Sequence, residues 1–157
     1  MLMTYDLDKK LEDWYQQVEK AYTFTPAQKS KVTGAGAAVF AEVLKGNTPV
    51  SSEHYRTARS VGHINASHGL KPRKTKHLRD SITFKPGFTS EKVMAGDTTV
   101  GFEDKYQAMI ARYVNNGTAG MSPKEVKNMH FIEKSQLMSR DAVLKAEAKA
   151  LKEVMGL

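Results

Sequence analysis

The sequence contains no cysteine, which excludes disulfides and thiolate-bound metals. It holds no apolar run long enough to cross the hydrocarbon layer of a bilayer, so no membrane partner is expected. The opening M-L-M-T-Y-D-L-D-K-K lacks the apolar stretch of a secretory signal. Without one, Asn65-Ala66-Ser67 and Asn116-Gly117-Thr118 carry no expectation of glycosylation, although both fit the acceptor pattern. Aromatic residues are few, and Trp14 is the single tryptophan.

One further absence is local. Between His54 and Arg79 there is no Asp or Glu, while Arg56, Arg59, Lys71, Arg73, Lys74, Lys76 and Arg79 all fall there. The other 17 basic residues are matched by 17 acidic ones, so the whole net charge of +7 resides in this window. His54, His63, His68 and His77 lie in it too, and each adds charge at mildly acid pH. Such a segment suits an acidic surface, protein or nucleic acid. Tyr55 is its only aromatic residue, which argues against a stacking platform for single strands. Few apolar groups offset the entropy of ordering this chain, so mobility in a free subunit and order only in an assembly are expected. Arg73, Lys74 and Lys76, next to Pro72, are the expected contacts.

The 157 residues suit one domain with a real core, and 40% hydrophobic with 26% charged residues is ordinary globular composition. Residues 100–118 organise it. Val100 and Phe102 alternate as in a strand; then Tyr106, Met109, Ile110, Tyr113 and Val114 take helical spacing, and Asn116-Gly117 ends the helix. Upstream, Leu7, Leu11, Trp14, Val18 and Tyr22 mark an amphipathic helix over residues 6–22, with Trp14 expected as a buried anchor. Thr25-Pro26-Ala27-Gln28 is a capping box that opens a helix running to about residue 45. Val32, Val39, Phe40, Val43 and Leu44 give that helix an apolar face, and residues 34–38 make it thin enough for close approach.

Residues 51–77 show no persistent period and read as a long insertion loop. Strands are expected over 78–85, 92–95 and 98–102, a meander too small to stand without a helix across one face. Ser122-Pro123-Lys124-Glu125 is a second capping box. A long helix from Phe131 to Met155 is expected to face inward through Leu137, Leu144, Ala148, Leu151 and Met155. The fold class is therefore α+β: a small antiparallel sheet of three to four strands packed on a long helix, with a short helix after the last strand and a long C-terminal helix. In one domain over 1–157, residues 1–24 form the first helix, 25–135 the core and 136–157 the C-terminal helix. Phe40, Val43, Ile82, Phe84, Ile110, Val114 and Phe131 are the expected buried set.

No chemistry is expected. The histidines lack the tight paired spacing of zinc sites, and no carboxylate stands near His63, Asn65 and His68 to hold a catalytic metal. Gly34-Ala35-Gly36 is too short for a phosphate loop and lies within a helix. The chain is read as non-enzymatic, with no catalytic residue, metal or cofactor.

Several blocks carry a family resemblance. Asn47-Thr48-Pro49-Val50 followed by His77-Leu78-Arg79-Asp80-Ser81-Ile82 resembles the A-P-V-x-T-G-x-L-R-x-S-I pattern of the tail-completion or head–tail connector proteins of long-tailed phages. Val100-Gly101 and residues 110–118 are similar to that family's V-G and Y-A-x-x-V-E-x-G-T. Residues 130–135 resemble its P-x-F-L-R-P-A. The order and spacing fit from about residue 26 to the C terminus. Ile110 stands for the usual Tyr, Asn115 for Glu and Lys134-Ser135 for Pro-Ala, and the gap from Pro49 to Leu78 is far longer than the family's T-G link. The first helix and the insertion fall outside the resemblance. It implies an α+β subunit without catalysis, in a commonly sixfold ring where head meets tail, in the host cytoplasm before assembly. Its partners would be further copies, neighbouring connector and tail terminator or tail tube proteins, and passing packaged DNA. The alternative is a small basic nucleic-acid-binding protein that uses residues 54–79.

Overall fold

The computed structural model describes residues 4–50, 76–89 and 94–157. Its elements, in order, are helices α1 (Thr4–Tyr22) and α2 (Pro26–Asn47), a 3-10 turn (Leu78–Ser81), strands β1 (Ile82–Thr83) and β2 (Gly101–Phe102), and helices α3 (Lys105–Asn116), α4 (Pro123–Val126) and α5 (Phe131–Met155). The helix starts follow the capping chemistry. The Gln28 amide N–H donates to Thr25 Oγ1 at 3.3 Å, and Gln28 Oε1 accepts from the Thr25 amide at 2.9 Å. Ser122 and Glu125 cap α4 in the same reciprocal way. Asp104 caps α3 by accepting from the Gln107 amide at 2.7 Å.

The chain divides into two compact units. One comprises Met1–Val39, Lys85–Thr99 and Asp141–Leu157. Here the thin part of α2 receives its neighbours. Gly34 lies against Pro86, Gly87 over Ser30, and Gly36 against the Glu147 side chain of α5. Thr33 Oγ1 donates to the Gly96 carbonyl at 2.7 Å and lies 2.8 Å from Thr98 Oγ1, which accepts from the Gly87 amide at 2.9 Å. A lone bridge joins Phe88 to Met94.

The other unit comprises Phe40–Phe84 and Val100–Arg140. Its core is Ala41 and Leu44 of α2, Leu78 and Ile82, Ala111 of α3 and Phe131 of α5. Phe40, Phe84, Val100, Phe102, Ile110, Val114 and Ile132 pack around it, half-buried. Strands β1 and β2 pair antiparallel, Ile82 opposite Phe102 and Thr83 opposite Gly101. The α+β class therefore stands, mostly helical, with a smaller sheet than expected: two strands of two residues among the described residues. Residues 78–81 turn in 3-10 form because Ser81 Oγ donates to the Leu78 carbonyl at 2.7 Å, which competes with an extended ladder. Of the expected strand at 92–95, residues 92 and 93 lie outside the described residues, and Met94 makes only the lone bridge.

Three expected faces are corrected. Trp14 is 59% exposed, and Leu11 and Tyr15 beside it are also exposed. On α3, Ile110 and Val114 pack on the core as expected, but Tyr106, Met109 and Tyr113 face solvent, while Gln107, Ala111 and Asn115 are buried. On α5, Leu137, Leu144 and Ala148 are exposed, Leu151 and Met155 are half-buried, and the buried line is Phe131, Ser135, Ser139 and Ala150. The reason is shared by α3 and α5. Buried polar groups cost little once hydrogen-bonded, and small side chains let neighbours come close, so hydrophobicity alone marks the wrong stripe. Ser135 Oγ donates to the Phe131 carbonyl at 2.6 Å and accepts from Asn47 Nδ2 at 3.0 Å. Val43 of the expected buried set is only half-buried and is not part of the core cluster.

Candidate assembly interface

Of the residues expected to bind a partner, Arg56, Arg59, Lys71, Arg73 and Lys74 lie outside the described residues. Of the other two, both exposed, Lys76 precedes the 3-10 turn and Arg79 lies within it. Lys76 Nζ meets Glu103 Oε2 at 2.9 Å, and its carbonyl accepts from Gln107 Nε2 at 3.4 Å. The hydrogen bond to Glu103, and then that carboxylate's charge, raise the Lys76 ammonium above the usual lysine range. Arg79 Nε lies 3.7 Å from Asp80 Oδ1. Both cations are thus already answered by neighbouring acids at the end of the window.

The surface offers other features, among them several residues whose spacing predicts an inward face. On α1, Leu11, Trp14, Tyr15 and half-buried Val18 follow one another at helical spacing. On α3, Tyr106, Met109 and Tyr113 form an exposed stripe, with the Arg112 guanidinium 5.9 Å from the Tyr113 ring centre. At the start of α5, Phe131, Leu137 and Met138 line a hollow of about 280 Å³, and Leu137 is 77% exposed. Lys127, Lys134, Asn47 and Asn128 also line it, and among the described residues the lining includes no carboxylate. The signal that could have separated these stripes from core is the partner role of Gln107, Asn115, Ser135 and Ser139, polar residues that share one helical phase with Ala111 or Phe131.

Asn115 is the polar centre of the second unit. Its Nδ2 donates to Glu133 Oε1 at 2.9 Å and its Oδ1 accepts from the Ile132 amide at 3.0 Å. Its backbone carbonyl accepts from the His130 amide at 2.9 Å. Three bonds from one residue therefore dock the end of α3 on the start of α5. The Asn115 amide holds the Glu133 carboxyl below the usual carboxylate range, aided by the Glu133 backbone amide and the nearby His130.

Residues 9–117 match the family described as "Bacteriophage HK97-gp10, putative tail-component". The chain belongs to this family. No curated protein and no solved structure matches it. As an HK97-gp10-like chain it is a structural phage tail component, placed in the virion among other phage structural proteins. The matched span begins within α1, which therefore falls inside the family's extent, and it ends at Gly117, the glycine that closes α3. The block at 130–135 and α5 lie beyond it. No helix among the described residues is long and apolar enough to cross a membrane.

Proposed function

We propose that this protein is a subunit of a homo-oligomeric ring, sixfold as is common in the family, that completes the tail at the head–tail junction. Large apolar side chains standing exposed on α1, α3 and α5 carry this reading. A subunit that worked alone would gain by burying them, and exposed apolar surface of this kind is what assembly covers. Within the ring, the basic residues Arg56, Arg59, Lys71, Arg73 and Lys74 seat on an acidic face of a neighbouring connector, tail terminator or tail tube subunit, with packaged DNA passing nearby, while Lys76 and Arg79 keep their acidic partners within the chain. No step of this role needs a catalytic residue or cofactor.

The test is electron microscopy of the purified protein mixed with tails that lack it. Rings on one end of the tubes, with recovery of head joining, are expected. A protein that stays monomeric beside the tubes and shifts duplex DNA in a salt-sensitive way would replace this reading with that of a basic nucleic-acid-binding protein.

A further inference from the structure

We propose that α1 of one copy docks in the Lys127–Lys134 hollow of the next copy, so that the ring closes by a head-to-tail contact. This rests on the ring reading above and names the surfaces that would join. Two features fit each other. The hollow has an apolar floor of Phe131, Leu137 and Met138, and its lining among the described residues holds two lysines and no carboxylate. Helix α1 presents Leu11, Trp14 and Tyr15 to solvent. Glu12 and Glu19, both exposed, run along one edge of that stripe, two helical turns apart. Among the described residues neither glutamate is in an ion pair. From Thr4 to Tyr22 the helix holds five acidic and three basic residues, so an acidic amphipathic helix is on offer to a cationic apolar hollow.

The geometry of such a contact decides the form of the assembly. The two surfaces are different patches of the same chain, so each copy offers one to each neighbour. Contacts of this heterologous kind generate rings when the rotation closes. An isologous pairing would use one patch twice and stop at a dimer. The apolar stripe supplies the drive for association, and the glutamates and lysines set its polarity and register.

The natural absence of cysteine makes the contact easy to map. Two full-length variants are prepared with different tags, one Leu11→Cys and one Leu137→Cys, both at exposed positions. They are mixed under assembly conditions and oxidised. A disulfide joining the two tags is expected, while a control mixture of Leu11→Cys with Tyr113→Cys should give little. A second arm reverses charge: Glu12→Lys with Glu19→Lys should weaken assembly by about tenfold or more, and mixing with Lys127→Glu, Lys134→Glu chains should recover most of it. Rings that form without the mixed disulfide would overturn this contact and leave the ring reading intact. In a third variant carrying both Leu11→Cys and Leu137→Cys, a disulfide confined to single chains would show α1 covering its own hollow, and would overturn the contact equally. Failure to form rings in electron microscopy counts against the ring itself, whichever disulfide is found.

Discussion

Two residues at the junction of α3 and α5 show how much rests on single side chains. Gly117 adopts φ 81° and ψ 161°, a region open essentially to glycine, and its amide donates to the Tyr113 carbonyl at 2.9 Å. A Cβ there would also lie 2.8 Å from Met129 Cε. Gly117→Val should therefore cost about 1–3 kcal/mol from backbone strain, with steric conflict in addition. Ala119→Val, at an exposed site, should cost clearly less in the same denaturant titration; equal losses would remove the role of the glycine. Asn115 is the second residue. Its amide meets the Glu133 carboxylate through one hydrogen bond. Asn115→Ala would orphan the Ile132 amide at the start of α5, at a cost of about 1–3 kcal/mol. It would also let Glu133 titrate closer to the ordinary carboxylate range, which carboxyl-detected NMR can follow. The sign is fixed by the depressed value in the folded state. The stabilisation is present above the unfolded-state value of about 4.3 and is lost as pH falls through the lower folded value, so the variant should lose less of its remaining stability on acidification than the parent does.

Among the elements, α2 is the one whose sequence looks weakest and whose packing explains it. Glycines inside helices cost stability, and α2 carries Gly34, Gly36 and Gly46. Gly34 is retained by contact: a Cβ there would stand 2.9 Å from Cβ of the Pro86 ring, which cannot swing aside. At Gly36 the obstacle is the Glu147 side chain, which can move. Gly46 has open space around it. Replacing each by alanine should therefore separate them. Gly34→Ala should destabilise in spite of its better helix propensity, whereas Gly46→Ala should stabilise by up to about 1 kcal/mol. A stabilised Gly34→Ala variant would mean that Pro86 does not press on the helix. The same reasoning covers α5, where Ser135 and Ser139 are buried in place of larger residues and spend their hydroxyls on their own helix backbone.

At the scale of the whole molecule, the second unit depends on a small set of apolar contacts and the proposed assembly on what is left outside them. Ile82 is buried in the core cluster while Phe84 is half-buried at its edge. Ile82→Ala should cost about 2–5 kcal/mol, and Phe84→Ala less than a fully buried phenylalanine would. A loss below half a kilocalorie for Ile82→Ala in chemical denaturation would show that β1 does not anchor the core. The basic window makes the opposite prediction. Changing Lys71, Arg73 and Lys74 to serine should leave the unfolding curve unchanged and abolish the joining of heads to tails, because charge pairing with an acidic neighbour is lost. Infectious particles at normal yield from that variant would reduce the window to a solvated insertion. Lys76 is best left in place for this test, since its ion pair with Glu103 belongs to the fold.

Local rules were legible in the chain itself. The Thr25–Gln28 and Ser122–Glu125 capping boxes, the glycine stop at Gly117, the extents of α2 and α5 and the association of Phe40, Ile82, Phe84, Ile110, Val114 and Phe131 all follow from short-range chemistry and apolar spacing. Ordered blocks spread along the chain also pointed to the phage tail family. Tertiary structure alone decided which of the apolar residues on α1, α3 and α5 are covered. An apolar residue is indifferent to whether it is covered by its own chain or by another subunit, so Trp14, Tyr106 and Leu137 read alike as core and as surface for assembly. Gln107, Asn115 and Ser135 become interior residues only where Lys76, Glu133 and Asn47 supply hydrogen-bond partners from distant parts of the sequence, and no local pattern records those meetings.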